Sequence, residues 1–177
     1  MGEVVDLKTY RAQAFEKKAF GAWRQRFSVA FDQTTGTQDL PDEVLMALAT
    51  PGDESTTAFY QLIMGILGMG AERKFQLLDT EEKMAIVDIH LFLADQVRFE
   101  MLYRLGWIRE FACRDIPFLD MVSGFARYKT ACRHRPPELA DSHPGHAEFC
   151  QLIPKDRSSY IRRLLPEALD AFKQKIS

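Results

Sequence analysis

The chain has 177 residues, 46% hydrophobic and 27% charged, with a net charge of −2. That length suits one domain and that composition a globular rather than a disordered chain. The near-neutral charge gives no electrostatic reason to expect nucleic acid as a partner. Three cysteines, an odd number, argue against a disulfide framework and for a reducing, cytoplasmic setting.

The first ten residues hold Glu3, Asp6 and Lys8 and no apolar run, so no secretory signal is expected, and Asp6 breaks the myristoylation pattern that Gly2 would open. Residues 1–7 are expected to fray. The spacing of Phe15, Ala19, Ala22, Trp23, Phe27 and Ala30 predicts a helix over about 8–31. After a polar loop over 32–40, Pro41 suits a first helical position, Asp42 and Glu43 favour the positive helix start, and Pro51 with Gly52 ends this second helix. A third helix is expected from Ser55 or Thr56 to about Leu78. Gly65, Gly68 and Gly70 within it imply either a close neighbour or a break near Gly70. They are not a phosphate loop, since no strand precedes them and the loop lysine is missing. The longest apolar run without charge, Ala58 to Ala71, falls short of the roughly 20 residues a bilayer span needs, so no membrane role is expected.

Asp79 and Glu82 have the spacing of a capping box and open a central helix expected over 79–107, which Gly106 closes. This segment is apolar on every side through Met84, Ile86, Val87, Ile89, Leu91, Phe92 and Leu93, and such a helix is normally enclosed by others. It nevertheless carries Asp88, His90, Asp95, Arg98 and Glu100. Asp88 and His90 cannot act as a catalytic pair, because two residues apart means about 200° around the axis. Asp88 and Asp95 share a face but lie roughly 10 Å apart along it, and the chain has no Glu-x-x-His of the kind that builds bundle di-iron sites. Ion pairing fits better: Asp95 with Arg98 at i+3 and Glu100 with Arg104 at i+4. Asp88, His90, Asp95, Arg98 and Glu100 are therefore expected to form a buried polar network that fixes helix register. The alternative is a pocket for a small apolar ligand beside Asp88 and Arg98.

A further helix is expected to follow Asp115 and Pro117 and to run to about Cys132, carrying Phe118, Met121, Val122 and Phe125. Pro136, Pro137, Pro144 and Gly145 punctuate a connection, after which a short helix near His146 to Ile153 precedes a last one from Arg157 to Lys175, kinked or divided at Pro166. Five of the seven Cys and His residues fall in one window: Cys132, His134, His143, His146 and Cys150. These are zinc-preferred ligand types, and His146 and Cys150 are i, i+4 on the short helix, so a zinc site is chemically possible. The order of ligands matches no structural zinc pattern, and a histidine-containing surface loop is the simpler expectation. Cys113 beside Arg114 is read as a packing residue. The basic stretch Arg127 to Arg135 is a solvated face or a contact for an acidic surface. Pro137, Glu138, Asp141 and His143 look slightly like the Glu-Pro-x-Asp-His stretch of redox-enzyme maturation chaperones of the TorD type, but their order and spacing differ, and no family is assigned from them.

The expected fold is thus an all-α single domain over 1–177, a bundle of about six to seven helices around a long central one. With no assembled catalytic set, the expected function is non-enzymatic: an adaptor, regulatory or chaperone-like module that binds a partner protein or a second copy, without a required cofactor. The rival is a metal-binding protein or metal-dependent enzyme using the cluster at 132–150.

Overall fold

In the computed structural model the described residues are 7–70 and 73–177, with side chains described from Ala14 onward. They form nine helices and no strand. In chain order these are α1 (Leu7–Phe27), α2 (Asp42–Ala49), α3 (Asp53–Ile66), α4 (Thr80–Arg104), α5 (Phe118–Ser123), α6 (Phe125–His134), α7 (His146–Gln151), α8 (Pro154–Arg163) and α9 (Leu165–Ile176). The frayed start expected over residues 1–7 lies, but for the backbone of Leu7, outside the described residues. Among the described residues no helix is long and apolar enough to cross a membrane.

Two glycines set the main boundaries. Gly68 and Gly106 both have positive φ, at 70° and 73°. Each sits just past a helix end, where the next amide reaches back to close a Schellman turn: Met69 N to Met64 O and Trp107 N to Leu102 O, both at 3.0 Å. The third helix therefore ends at Ile66 rather than continuing to Leu78, because a left-handed glycine at its end uses up the carbonyls that another turn would need. At the other end of α4 the capping box forms as expected. The amide of Glu82 donates to Asp79 Oδ1 at 2.8 Å, and the amide of Asp79 donates to Glu82 Oε2 at 3.0 Å. The helix expected over 117–132 is divided at Gly124 into α5 and α6, and the last helix is divided so that Pro166 lies in the first turn of α9.

The core gathers around Trp23, which is fully enclosed and has Phe31, Phe59 and Phe118 edge-on at 5.5, 6.2 and 5.3 Å between ring centroids. Its indole N–H donates to the Ala58 carbonyl at 2.7 Å, which ties α1 to α3. The C-terminal half of α4 lies inside this core, with Leu93, Val97, Met101 and Leu102 buried. Its N-terminal half is not sheathed. Met84, Val87 and Leu91 are 64%, 43% and 57% exposed, which corrects the expectation of a helix enclosed along its whole length. On that half Ile86 and Ile89 are buried, while the apolar residues on the other faces of the helix turn outward.

Candidate functional site

One side of α4 becomes the wall of a groove. Asp88, Leu91, Phe92, Asp95, Gln96 and Phe99 recur at helical spacing and face α6 and the first half of α8. From α6 and the turn after it come Lys129, Cys132, Arg133 and Arg135, and from α8 come Lys155, Ser158 and Arg162. The groove is open to solvent, with a volume of about 490 Å³. Its floor is aromatic, with Phe92 edge-on to Phe125 at 5.6 Å and Phe99 edge-on to Phe111 at 5.8 Å. Pro136 and Pro137 hold the chain after α6 in an extended path along the rim.

The groove concentrates positive charge on a molecule of net charge −2. Five basic side chains line it against two acidic ones, Asp88 and Asp95. Asp95 pairs with Arg162 at 3.1 Å. Among the described residues no acid pairs with Lys129, Arg133, Arg135 or Lys155. A concave surface with an excess of one sign of charge raises the local concentration of oppositely charged groups. A second, more mixed hollow of about 530 Å³ continues from it past Phe111, Arg135 and Pro136 to Arg109, His134 and Glu138.

The charges of α4 do not form the single buried network expected of them. Asp88 is exposed, and Asp95 bonds to Arg162 rather than to Arg98. Arg98 instead reaches the carbonyl of Ala49, the last residue of α2, at 3.4 Å. A terminal helix carbonyl lacks an intrahelical partner and lies at the negative end of the dipole, so it draws the guanidinium away from its neighbour on α4. Only Glu100 is fully buried. Its carboxylate accepts from Arg104 Nε at 2.8 Å, as the spacing predicts, and from Arg114 Nε at 2.9 Å, which no local spacing signals. Arg104 goes on to Asp42 at 2.7 Å and to the Leu40 carbonyl at 2.8 Å, joining α4 to the start of α2. No buried side-chain nitrogen or oxygen among the described residues is left without a partner. Glu100 is therefore a structural centre.

His90 lies on the other side of α4, half-buried against the Phe59 ring at 5.3 Å. Burial pushes its pKa below the ordinary histidine range, and the charge of Arg98 acts in the same direction. It borders an apolar hollow of about 400 Å³ with Tyr60, Phe75, Ile86 and Val87.

The five candidate zinc ligands are scattered. Cys132 lines the basic groove, and His134 lines the mixed hollow beside it. His143 packs edge-on to Trp107 at 5.2 Å and accepts the Gly145 amide at Nδ1. Only His146 and Cys150 meet, Nε2 to Sγ at 3.4 Å. Among the described residues no three His, Cys, Asp or Glu side chains come together as a metal site would require. The extended path of Pro136 and Pro137 separates the ligands of α6 from those of α7. Asp141 also contacts His146, again at Nε2, at 3.1 Å. The nearer sulfur contact shares its ring nitrogen with the carboxylate, with Nδ1 farther from Sγ at 3.9 Å, whereas a nucleophilic Cys–His–Asp set has its two partners on different ring nitrogens. Arg109 holds Asp141 from the other side and pairs with Glu138 at 3.1 Å.

The chain matches no family model, no curated protein and no solved structure.

Proposed function

We propose that the protein is a non-enzymatic, cytoplasmic binding module that holds an acidic, partly apolar segment of a partner protein in the groove between α4, α6 and α8. The observation that carries the reading is the set of four basic side chains without acidic partners among the described residues, lining a groove with Leu91 and Phe99. Each part has a separate task. The exposed Leu91 and the half-buried Phe99 offer apolar area to the bound segment. The rim attracts carboxylates at long range and selects against basic segments, and its two unpaired arginines can grip carboxylates in bidentate fashion.

The test is retention of a degenerate peptide library of Asp, Glu, Leu and Phe on immobilised protein, followed by calorimetry with the enriched sequence. Double reversal, Arg133→Glu with Arg135→Glu, is expected to weaken binding roughly tenfold or more and to flatten its salt dependence. A library that elutes unenriched, or an enriched sequence that binds the double variant equally well, contradicts the proposal.

A further inference from the structure

Past the C-terminal end of α4 lies a hollow that the binding reading leaves unused. It is open to solvent, with a volume of about 540 Å³, and its walls include Leu105, Trp107, His143, Tyr160, Leu164 and Glu167. Backbone pairing sets these walls. After the left-handed Gly106 the Arg109 amide donates to the Glu138 carbonyl at 2.9 Å and the Ala140 amide to the Trp107 carbonyl at 2.8 Å, which brings the turn over 142–145 against Trp107. Within that turn the Gly145 amide donates to His143 Nδ1 at 3.0 Å, and the imidazole packs edge-on with the indole at 5.2 Å. Tyr160 closes another side from α8, its hydroxyl donating to the Gly145 carbonyl at 3.4 Å. The turn admits only glycine at 145, because a Cβ there would run into that hydroxyl.

The charge in this hollow has one sign. Glu167, exposed in the first turn of α9, is the only acidic or basic side chain among the described residues that line it, apart from His143. Among the described residues no base pairs with Glu167. Burial holds His143 below the ordinary histidine range, although the charge of Glu167 acts the other way, so the ring adds no positive charge at neutral pH. Arg163 lies over the Tyr160 ring at 5.4 Å but does not line the hollow, which leaves Trp107 as the ring without a cation of its own.

We propose that this hollow binds a small organic cation of the quaternary ammonium type, its methyl groups against Trp107 and its charge toward Glu167. Indole is the aromatic group that cations favour most, through the negative face of its ring system. A primary ammonium is strongly hydrated and has three donors to satisfy, and one carboxylate does not replace that hydration. A fully alkylated nitrogen brings the charge with no donor to satisfy, and its methyl groups suit Leu105 and Leu164. Anions are disfavoured, since Glu167 repels them and no lysine or arginine lines the hollow.

The experiment titrates choline into the full chain and follows it by residue-resolved NMR, with the neutral carbon isostere 3,3-dimethylbutanol as a control of the same shape. Choline should shift Trp107, His143 and Tyr160 along one saturating curve and bind roughly threefold or more tightly than the isostere. Glu167→Gln removes a charge from an exposed side chain; it should weaken choline several-fold and leave the isostere unchanged, and its effect should shrink as salt rises. Glycerophosphocholine presents the same trimethylammonium group as a lipid headgroup does. Tighter binding of choline assigns the site to a free amine and tighter binding of glycerophosphocholine to a headgroup, and either result supports the cation site. Unmoved Trp107, His143 and Tyr160 signals with both compounds would overturn the proposal. So would equal affinity for choline and its isostere, or a Glu167→Gln chain that binds choline as the parent does. The hollow shares no lining residue with the groove between α4, α6 and α8, so the failure of one reading leaves the other standing.

Discussion

Glu100 shows what a single residue carries in this fold. Its carboxylate is fully enclosed and holds two guanidinium groups, so removing it takes the anion from Arg114 and leaves Arg104 with Asp42 alone. Glu100→Ala is expected to cost about 3–5 kcal/mol, read from urea denaturation. Asp88→Ala, on the same helix but exposed, should stay within about 0.5 kcal/mol of the parent. The pairing of Glu100 with Arg104 is legible in the sequence because it is local. The pairing with Arg114 is not, since it depends on how the chain returns after Gly106. His90 and His143 are both held below the ordinary histidine range by burial. The unfolded chain therefore takes up protons that the folded chain refuses as pH falls through about 6.5, and stability, complete above that value, declines below it. His90→Phe keeps an aromatic ring against Phe59 and should lose less stability than the parent between about pH 7.5 and 5.5 in thermal unfolding. An equal loss would place the titration elsewhere.

At the scale of elements, Gly65 and Gly21 make a controlled pair. A Cβ at Gly65 would lie 2.6 Å from the Lys18 carbonyl oxygen and 3.0 Å from Ala19 Cα, both backbone atoms of α1. A Cβ at Gly21 meets nothing within 4 Å. Gly65→Ala should therefore destabilise by about 1–3 kcal/mol through forced separation of α1 and α3. Gly21→Ala, in the interior of α1, should stabilise by up to about 1 kcal/mol. Equal effects in chemical denaturation would contradict the close crossing. The all-α class and most helix starts were legible, because capping residues, prolines and apolar spacing are local signals. The division at Gly124 was not, and the expected length of α3 was too great, because three glycines in a row of helical residues fit both a close crossing and a stop. The structure uses Gly65 for the crossing and Gly68 for the stop.

At the scale of the molecule, the groove depends on segments far apart in the chain: Asp95 of α4 meets Arg162 of α8 across its mouth. The basic run over 127–135 was visible as a charge pattern, but nothing local says that it stands opposite the Phe92 and Phe99 face of α4. The cluster of cysteine and histidine types pointed to one site, and the fold distributes it over four. Sequence proximity within a proline-bearing connection did not become proximity in space. The same α4 also shows Met84, Val87 and the apolar hollow at His90 to solvent, so two faces compete as the surface that matters. Residue-resolved NMR on the full chain, titrated with the acidic sequence enriched from the library, separates them. The account predicts shift changes centred on Gln96, Lys129, Cys132, Arg133 and Lys155, with Tyr60, Phe75 and His90 unmoved. Changes centred on Tyr60, Phe75 and His90, or spread evenly over the surface, would contradict it.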